Sequence, residues 1–290
     1  MRIRGTELVY QIGITAIVVI ISLTAFFPLF NVVVQSFVSE AEWVRKGGIV
    51  LWVNDPILNG YRSALKNPVM LRGFFISVFR TTSGTALGVF WAMITGFAVS
   101  RKDMIGRNVL TTLVLITFLF TGGLIPTYLV VIGTHVYNTF LALIVPGMIG
   151  AWNVLVFKQF FENIPDEIEE SADMDGATQI RIAFSLFVPM SKPVIAALSL
   201  FTAVAFWNEW FTALVFTKEI NLRPFMLYLR NIFNTSHLGY EQISLDPSVR
   251  ATAVSVKMAV TVIGIVPIMC VYPFLQRYFI KGVYTGSVKE

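Results

Sequence analysis

Ile164-Pro165-Asp166-Glu167-Ile168-Glu169-Glu170-Ser171-Ala172-Asp173-Met174-Asp175-Gly176-Ala177-Thr178 is an acidic stretch set between two apolar runs, and it continues through Arg181 and Phe184 to Val188-Pro189 and Lys192-Pro193. Its residues spell a helix, a break and a second helix. Proline suits a first helical turn, and the acids that come after Pro165 sit where the positive end of a helix favours them. Gly176 permits a left-handed backbone, Thr178 can cap the second helix, and Pro189 is expected to end it. On chemistry alone, an ordinary amphipathic loop has the same composition.

The flanking runs set the wider context. Of 290 residues, 56% are hydrophobic and 13% charged, with a mean hydropathy of +0.72. A soluble domain carries about twice that charged fraction, so the composition calls for a bilayer as solvent. A helix needs roughly 20 apolar residues to cross the hydrocarbon core. Six segments qualify, at 10–37, 74–100, 109–132, 139–161, 193–216 and 252–279, with the acidic stretch filling the loop 162–190. One membrane domain spanning 1–290 is expected. The first run follows Arg2 and Arg4 but is long for a signal sequence and lacks a small-residue cleavage site before Pro28, so it reads as an uncleaved span. Residues 40–72 and 218–250 read as polar loops, and the short 133–138 connection makes the third and fourth spans antiparallel neighbours. Pro267 and Pro273 are expected to kink the last span.

The net charge of +5 is spread among the connections, a pattern of membrane-flanking charge that gives no footprint for nucleic acid. The lone Cys270 cannot form an intrachain disulfide, and His135 and His237 are too far apart in sequence to suggest a metal site. An even number of spans puts both ends on one side, but the lysine and arginine count, eleven against ten, does not choose that side. The short turn 101–107, with Arg101, Lys102 and Arg107, is the best single indicator of a cytoplasmic face.

Glu-x-Ala followed by Gly six residues after the Glu, closing on hydrophobic-x-hydrophobic-Pro, resembles the signature loop of binding-protein-dependent ABC importer permeases. Glu170, Ala172, Gly176, Leu186, Val188 and Pro189 fall on its positions, and Asp175-Gly176-Ala177 strengthens the likeness. Ser171 stands where that family often has Ala, and Leu186 and Val188 replace the commoner Ile and Leu. The segments 122–128, 206–211 and 272–279 are similar to the carbohydrate branch, in particular its maltose-permease-like second subunit and relatives for complex oligosaccharides. The likeness runs through nearly the whole chain. It implies an all-α membrane protein, a six-helix bundle of the type I ABC importer permease fold, in the bacterial cytoplasmic membrane with both termini and the signature loop cytoplasmic. It further implies a second homologous permease subunit, two ATP-binding subunits that hold ATP and Mg, and an extracytoplasmic solute-binding protein. In this chain it implies no cofactor and no catalysis. Glu170, Ala172, Asp173, Gly176, Ala177 and Pro189 become the expected ATPase-coupling residues.

Ionisable and polar groups within a span are costly, and so are candidates for a solute path. Glu209 and Asn208, flanked by Trp207 and Trp210, lie roughly 25 Å along the fifth segment from its cytoplasmic end. Indoles beside hydrogen-bonding groups suit a sugar, and they equally suit an interfacial aromatic belt. Arg80, at similar depth, can pair with Glu209 or meet an acidic sugar, or can snorkel; Asn153 can face the path or bond a neighbouring helix. Lys257 is given no role. A similar permease for an amino acid, polyamine or phosphate is the alternative. An intramembrane enzyme or a channel is a further one, although no HExxH, Gly-x-Ser-x-Gly or Walker A sequence occurs.

Overall fold

A computed structural model describes residues 5–48, 50–234 and 253–286. The expectations for His237, for 235–250 of the second polar loop, for the first residue of the last span and for the chain ends lie outside them. The regular structure of the described residues is all helical, with no strand among them.

Among the described residues, three helices are long and apolar enough to cross a membrane: α1 (Gly5–Gln35), α4 (Pro68–Ser100) and α14 (Ala253–Gly286). Between α1 and α4 the expected polar loop holds two short helices, α2 (Glu40–Arg45) and α3 (Asn59–Lys66), and α4 starts six residues before the expected 74. α14 runs as one helix through Pro267 and Pro273. Proline inside a helix removes one backbone bond, a loss that membrane helices tolerate when other groups take up the carbonyl.

The middle spans are not continuous, which corrects the sequence reading. The third divides into α5 (Arg107–Leu119) and α6 (Leu124–Gly133), where Gly123 takes a left-handed φ of +80°. The fourth begins as two 3-10 turns, Phe140–Leu143 and Val145–Gly147, then bends by 48° into α7 (Ala151–Glu162). After α7 come α8 (Asp166–Met174), α9 (Gln179–Ile182), a π-helical turn (Ala183–Phe187) and α10 (Val188–Met190). A 79° bend at Ser191 leads into α11 (Lys192–Asn208). The fifth segment breaks at Glu209–Trp210 before α12 (Phe211–Phe216), and α13 (Phe225–Asn234) occupies part of the second expected polar loop. By length and composition the long helices and the two bent pairs give up to five spans among the described residues, with α5 and α6 as shorter apolar pieces.

The chain divides into two compact units. In the one built from Met1–Met70 and Leu229–Val266, a tight fold follows α1. Ile57 N–H donates to Phe37 O at 2.8 Å, and Tyr61 and Ser36 share a hydroxyl bond of 2.8 Å. The buried Glu42 carboxylate accepts from Asn54 N–H at 2.9 Å and pairs with Lys46 at 2.8 Å; the bond to Lys46 holds its carboxyl below the usual range. Gly60 of α3 lies so close to Ser255 that a Cβ there would fall 2.7 Å from its carbonyl oxygen. The apolar run of α1 from Tyr10 to Phe30 is exposed, so lipid or another chain must cover it.

The second unit, Leu71–Tyr228 with Pro267–Glu290, holds the core around Val99, Val154, Phe157, Phe161, Ile182 and Phe187. α5 and α7 run antiparallel, as expected: Arg107 at the start of α5 bonds Glu162 at the end of α7, while Phe118 near the end of α5 stacks near Trp152 at the start of α7. α4 meets α7 at Gly96, where a Cβ would stand 2.5 Å from Phe157 Cβ. Such contact lets helix backbones pack without the help of a hydrophobic gradient.

Candidate functional site

The acidic stretch folds as its chemistry dictates. Asp166, Glu167 and Glu169 occupy the first turn of α8. The helix closes in a Schellman arrangement: Ala177 N–H donates to Ala172 O at 3.0 Å and Gly176 N–H to Asp173 O at 2.9 Å, with Gly176 at φ +72°. Thr178 then caps α9 by accepting from Arg181 N–H at 3.4 Å. The bend expected at Gly176 is there. The stop expected at Pro189 is not, because the helical path continues through Pro189 to Met190 and turns at Ser191.

α8 has two faces. Ala172 is buried, with Ile168 and Ala177 packed against the same core as Phe161, Ile164 and Ile182. The small size of Ala172 and Ala177 lets this element lie against its own chain. Glu170, Asp173, Gly176 and Pro189 are exposed, as are Glu167, Met174 and Ile180.

Glu162, Asp166 and Glu169 are engaged by the turn 101–107. Arg101 forms an ion pair with Glu169, both side chains mostly buried. Lys102 bonds Asp166 at 2.8 Å, and Arg107 bonds Glu162 at 2.5 Å while its Nε donates to Val99 O at 2.9 Å. Lys158 adds a second cation to Glu162 at 2.8 Å. The Lys102 ammonium holds the Asp166 carboxyl below its ordinary range. Sequence reading used these cations only to orient the chain. The signal it passed over was complementarity: a basic cluster at 101, 102 and 107 facing acids at 162, 166 and 169.

A second feature lies among α4, α7, α11 and the two breaks. Arg80, of which 2% is exposed, donates from Nε to Leu143 O at 2.8 Å, from Nη1 to Glu209 O at 2.7 Å, and from Nη2 to Glu209 Oε2 at 2.6 Å. Its guanidinium also stands 5.6 Å from the Phe206 ring centroid. The other carboxylate oxygen of Glu209 accepts from Thr212 N–H at 2.7 Å, at the start of α12. A cavity of about 320 Å³ opens here, lined by Arg80, Asn153, Thr202, Phe201, Phe206, Glu209 and Thr212 among others. Asn153 Nδ2 donates to Thr202 Oγ1 at 3.0 Å across it.

Three of the six expected pathway residues, Arg80, Asn153 and Glu209, therefore line one cavity, and Arg80 pairs with Glu209 rather than snorkelling. The other three do not line it. Trp207 is buried, edge-on to Phe74 at 5.8 Å and stacked on Phe225 at 6.3 Å. Trp210 packs beside Leu143, Ala213 and Leu227, and Asn208 is exposed. The cause is the break at Glu209, which turns the chain so that four consecutive residues point to separate surroundings.

Bent apolar helices, an acidic helix–glycine–helix element and a cavity with an ion pair in its wall define a membrane permease of the ABC importer type. Residues 68–284 match the model of the family described as binding-protein-dependent transport system inner membrane component, and the chain belongs to that family. It is 36% identical to the polygalacturonan/rhamnogalacturonan transport system permease protein YtcP of Bacillus subtilis over 92% of this chain and 94% of that one. It is also 36% identical to Protein LplC of the same organism, over 90% and 88%. The arabinooligosaccharides transport system permease protein AraQ of B. subtilis is 24% identical over 97% and 96%. A crystal structure of a bacterial ABC transporter involved in the import of the acidic polysaccharide alginate contains a chain with the same fold: TM-score 0.88 and 24% identity, over 95% of this chain and 98% of that one.

Proposed function

We propose that this permease moves an oligosaccharide across the cytoplasmic membrane by alternating access, as one of a pair of permease subunits served by two separate ATPase subunits and an extracytoplasmic binding protein. The whole chain then acts as one transmembrane domain of six spans, with both termini and α8 cytoplasmic. The carbohydrate assignment draws on relatives named for polygalacturonan and arabinooligosaccharides and on the hydroxyl-bonding groups of the cavity. Asn153, Thr202 and Glu209 supply donors and acceptors beside the exposed ring of Phe201, the mixture by which aromatic and polar groups hold a sugar. ATP and Mg belong to the partner in this reading, since the chain has no Gly-x4-Gly-Lys-Ser/Thr.

The observation that carries the coupling role is the paired-helix element around Gly176, whose outer face is open while its inner face is fixed to the chain. Glu170 and Asp173 present charge at helical spacing to basic groups of the ATPase, and Met174 and Ile180 present apolar surface. No atom lies within 4 Å of a Cβ built on Gly176. A Cβ there meets no neighbour in this chain, but a side chain strains the left-handed backbone by about 1–2 kcal/mol, and an indole obstructs a docking partner. Gly176→Trp should leave the subunit in the membrane and abolish either binding-protein-stimulated ATP hydrolysis or ATPase association. Full uptake with full stimulated hydrolysis would exclude the coupling role. Orientation is tested by Ile180→Cys in a Cys270→Ser background: labelling by an impermeant thiol reagent from outside intact cells would reverse it.

A further inference from the structure

An element that transmits force must be tied to the part it moves. α11 gives α8 one such tie, through the chain itself and the bend at Ser191. A helix of nine residues is marginal alone, and its inward apolar contacts rest on little more than Ile168 and Ala172. Its direction needs another constraint.

That constraint is charged. Arg101 follows the last residue of α4 and pairs with Glu169, with 16% and 14% of the two side chains exposed. Its guanidinium lies 5.7 Å from the centroid of Phe97, and Phe97 is edge-on to Phe161 at 5.9 Å and to Phe187 at 5.2 Å. One arginine thus joins the end of α4 to α8, over a ring stack that reaches α7 and the π-helical turn. Arg107 fixes the far side of the same turn by holding Val99 O and Glu162 together. A mostly buried ion pair differs from a surface pair: removing one member leaves the other a largely buried charge without its partner, so the geometry is strongly preferred.

We propose that Arg101, supported by Lys102 and Arg107, is a positioning residue that clamps the coupling helix to α4 and gives it a second lever to the cavity. Arg80, on the cavity wall, belongs to this same helix, 21 residues before Arg101 and roughly 30 Å along its axis. Movement of α8 then reaches the Arg80–Glu209 pair from two sides, along α11 to Glu209 and along α4 to Arg80. The inference rests on the reading of α8 as the docking element.

The test uses the assembled importer with its ATPase partner. Spin labels are placed at Ile105→Cys, 98% exposed, and at Ser171→Cys, an exposed position on α8 apart from the docking residues, in a Cys270→Ser background. Dipolar EPR is read without nucleotide and after trapping with ATP, Mg and vanadate. The expected result is a narrow interlabel distribution that is the same in both states. Arg101→Ala should broaden it at least twofold and lower stimulated hydrolysis about tenfold. The exchange Arg101→Glu with Glu169→Arg should restore both. Should Arg101→Ala fail to assemble, Lys102→Ala, an exposed site, should give a smaller broadening. A distribution that shifts on trapping in the otherwise unaltered subunit, or that neither variant changes, overturns the clamp. Disulfide trapping between Ile180→Cys and the ATPase separates this result from the reading beneath it: no cross-link removes the docking role, whatever the label distances show.

Discussion

Arg80 is the residue whose removal should cost this permease most. Arg80→Ala strips the donors from Leu143 O, from Glu209 O and from the Glu209 carboxylate at once. Breaking a buried ion pair from one side costs about 3–5 kcal/mol, and each orphaned buried acceptor adds about 1–3 kcal/mol when water cannot reach it. Here water has some access. The Glu209 side chain is 31% exposed, it keeps Thr212 N–H, and the cavity adjoins the vacated space. With that access the acceptor costs are largely offset, which leaves the ion-pair cost of about 3–5 kcal/mol. At about 2–4 °C per kcal/mol for a chain of this order of size, the melting midpoint of the detergent-purified subunit should fall by about 6–20 °C. Glu209→Gln keeps a neutral acceptor and should lose about 1–3 kcal/mol. The double variant Arg80→Ala with Glu209→Ala should be less damaging than the sum of the two alanine variants by at least about 1 kcal/mol, since it removes the orphaned carboxylate. A midpoint for Arg80→Ala within about 2 °C of the parent, or strict additivity in the cycle, would refute the assignment of Arg80 as the pin of both breaks.

Gly96→Val should overpack the α4–α7 contact, where a Cβ already falls 2.5 Å from Phe157 Cβ and 3.1 Å from Val154 O; a loss of about 1–3 kcal/mol is expected, and an unchanged melting curve would contradict the close approach. Trp207→Ala removes a buried ring from Phe74 and Phe225 and should cost about 3–5 kcal/mol while uptake per assembled transporter persists; lost uptake with unaltered melting would return Trp207 to the solute path. Asp166 has its carboxyl held low in the folded protein by Lys102, so its contact contributes above the unfolded-state pKa and is lost as pH falls through the lower, folded value. A spin label on α8 should therefore keep the same mobility from neutral pH down to the ordinary carboxylate range and loosen only below it, and Asp166→Asn should erase that step.

Much of this was legible because membrane solvation writes itself into composition. Apolar runs long enough to span announce α1, α4 and α14, and Pro165, Gly176 and Thr178 announce the helix–bend–helix of the coupling element. The breaks were less legible. Hydropathy sums over a window and registers neither Gly122-Gly123 nor Pro146 nor the polar step at Asn208-Glu209 as an end to a helix, since the residues on both sides remain apolar. Sequence spacing also placed Trp207 beside Glu209 on the assumption of one continuous helix. The same limit applies to Ala172, whose small size fits a partner's cleft and its own core equally; which one it meets depends on how α8 lies against Phe161 and Ile182.

The breaks and the buried arginine explain one another. Irregular backbone at membrane depth leaves carbonyls without helical partners, and lipid cannot satisfy them. Such backbone is stable only where protein or a wet cavity supplies donors. Two of the three interrupted spans expose an acceptor toward α4, at Leu143 and at Glu209, and Arg80 supplies donors to both. An arginine in that position would in turn be intolerable without a counter-charge, which Glu209 provides from the break itself. The cavity arises as a consequence: a helix that stops at Asn208 and restarts at Phe211, opposite a span that runs as 3-10 turns from Phe140 to Gly147, leaves space that continuous helices would fill. The polar pair that makes the breaks tolerable thus also lines the space they create.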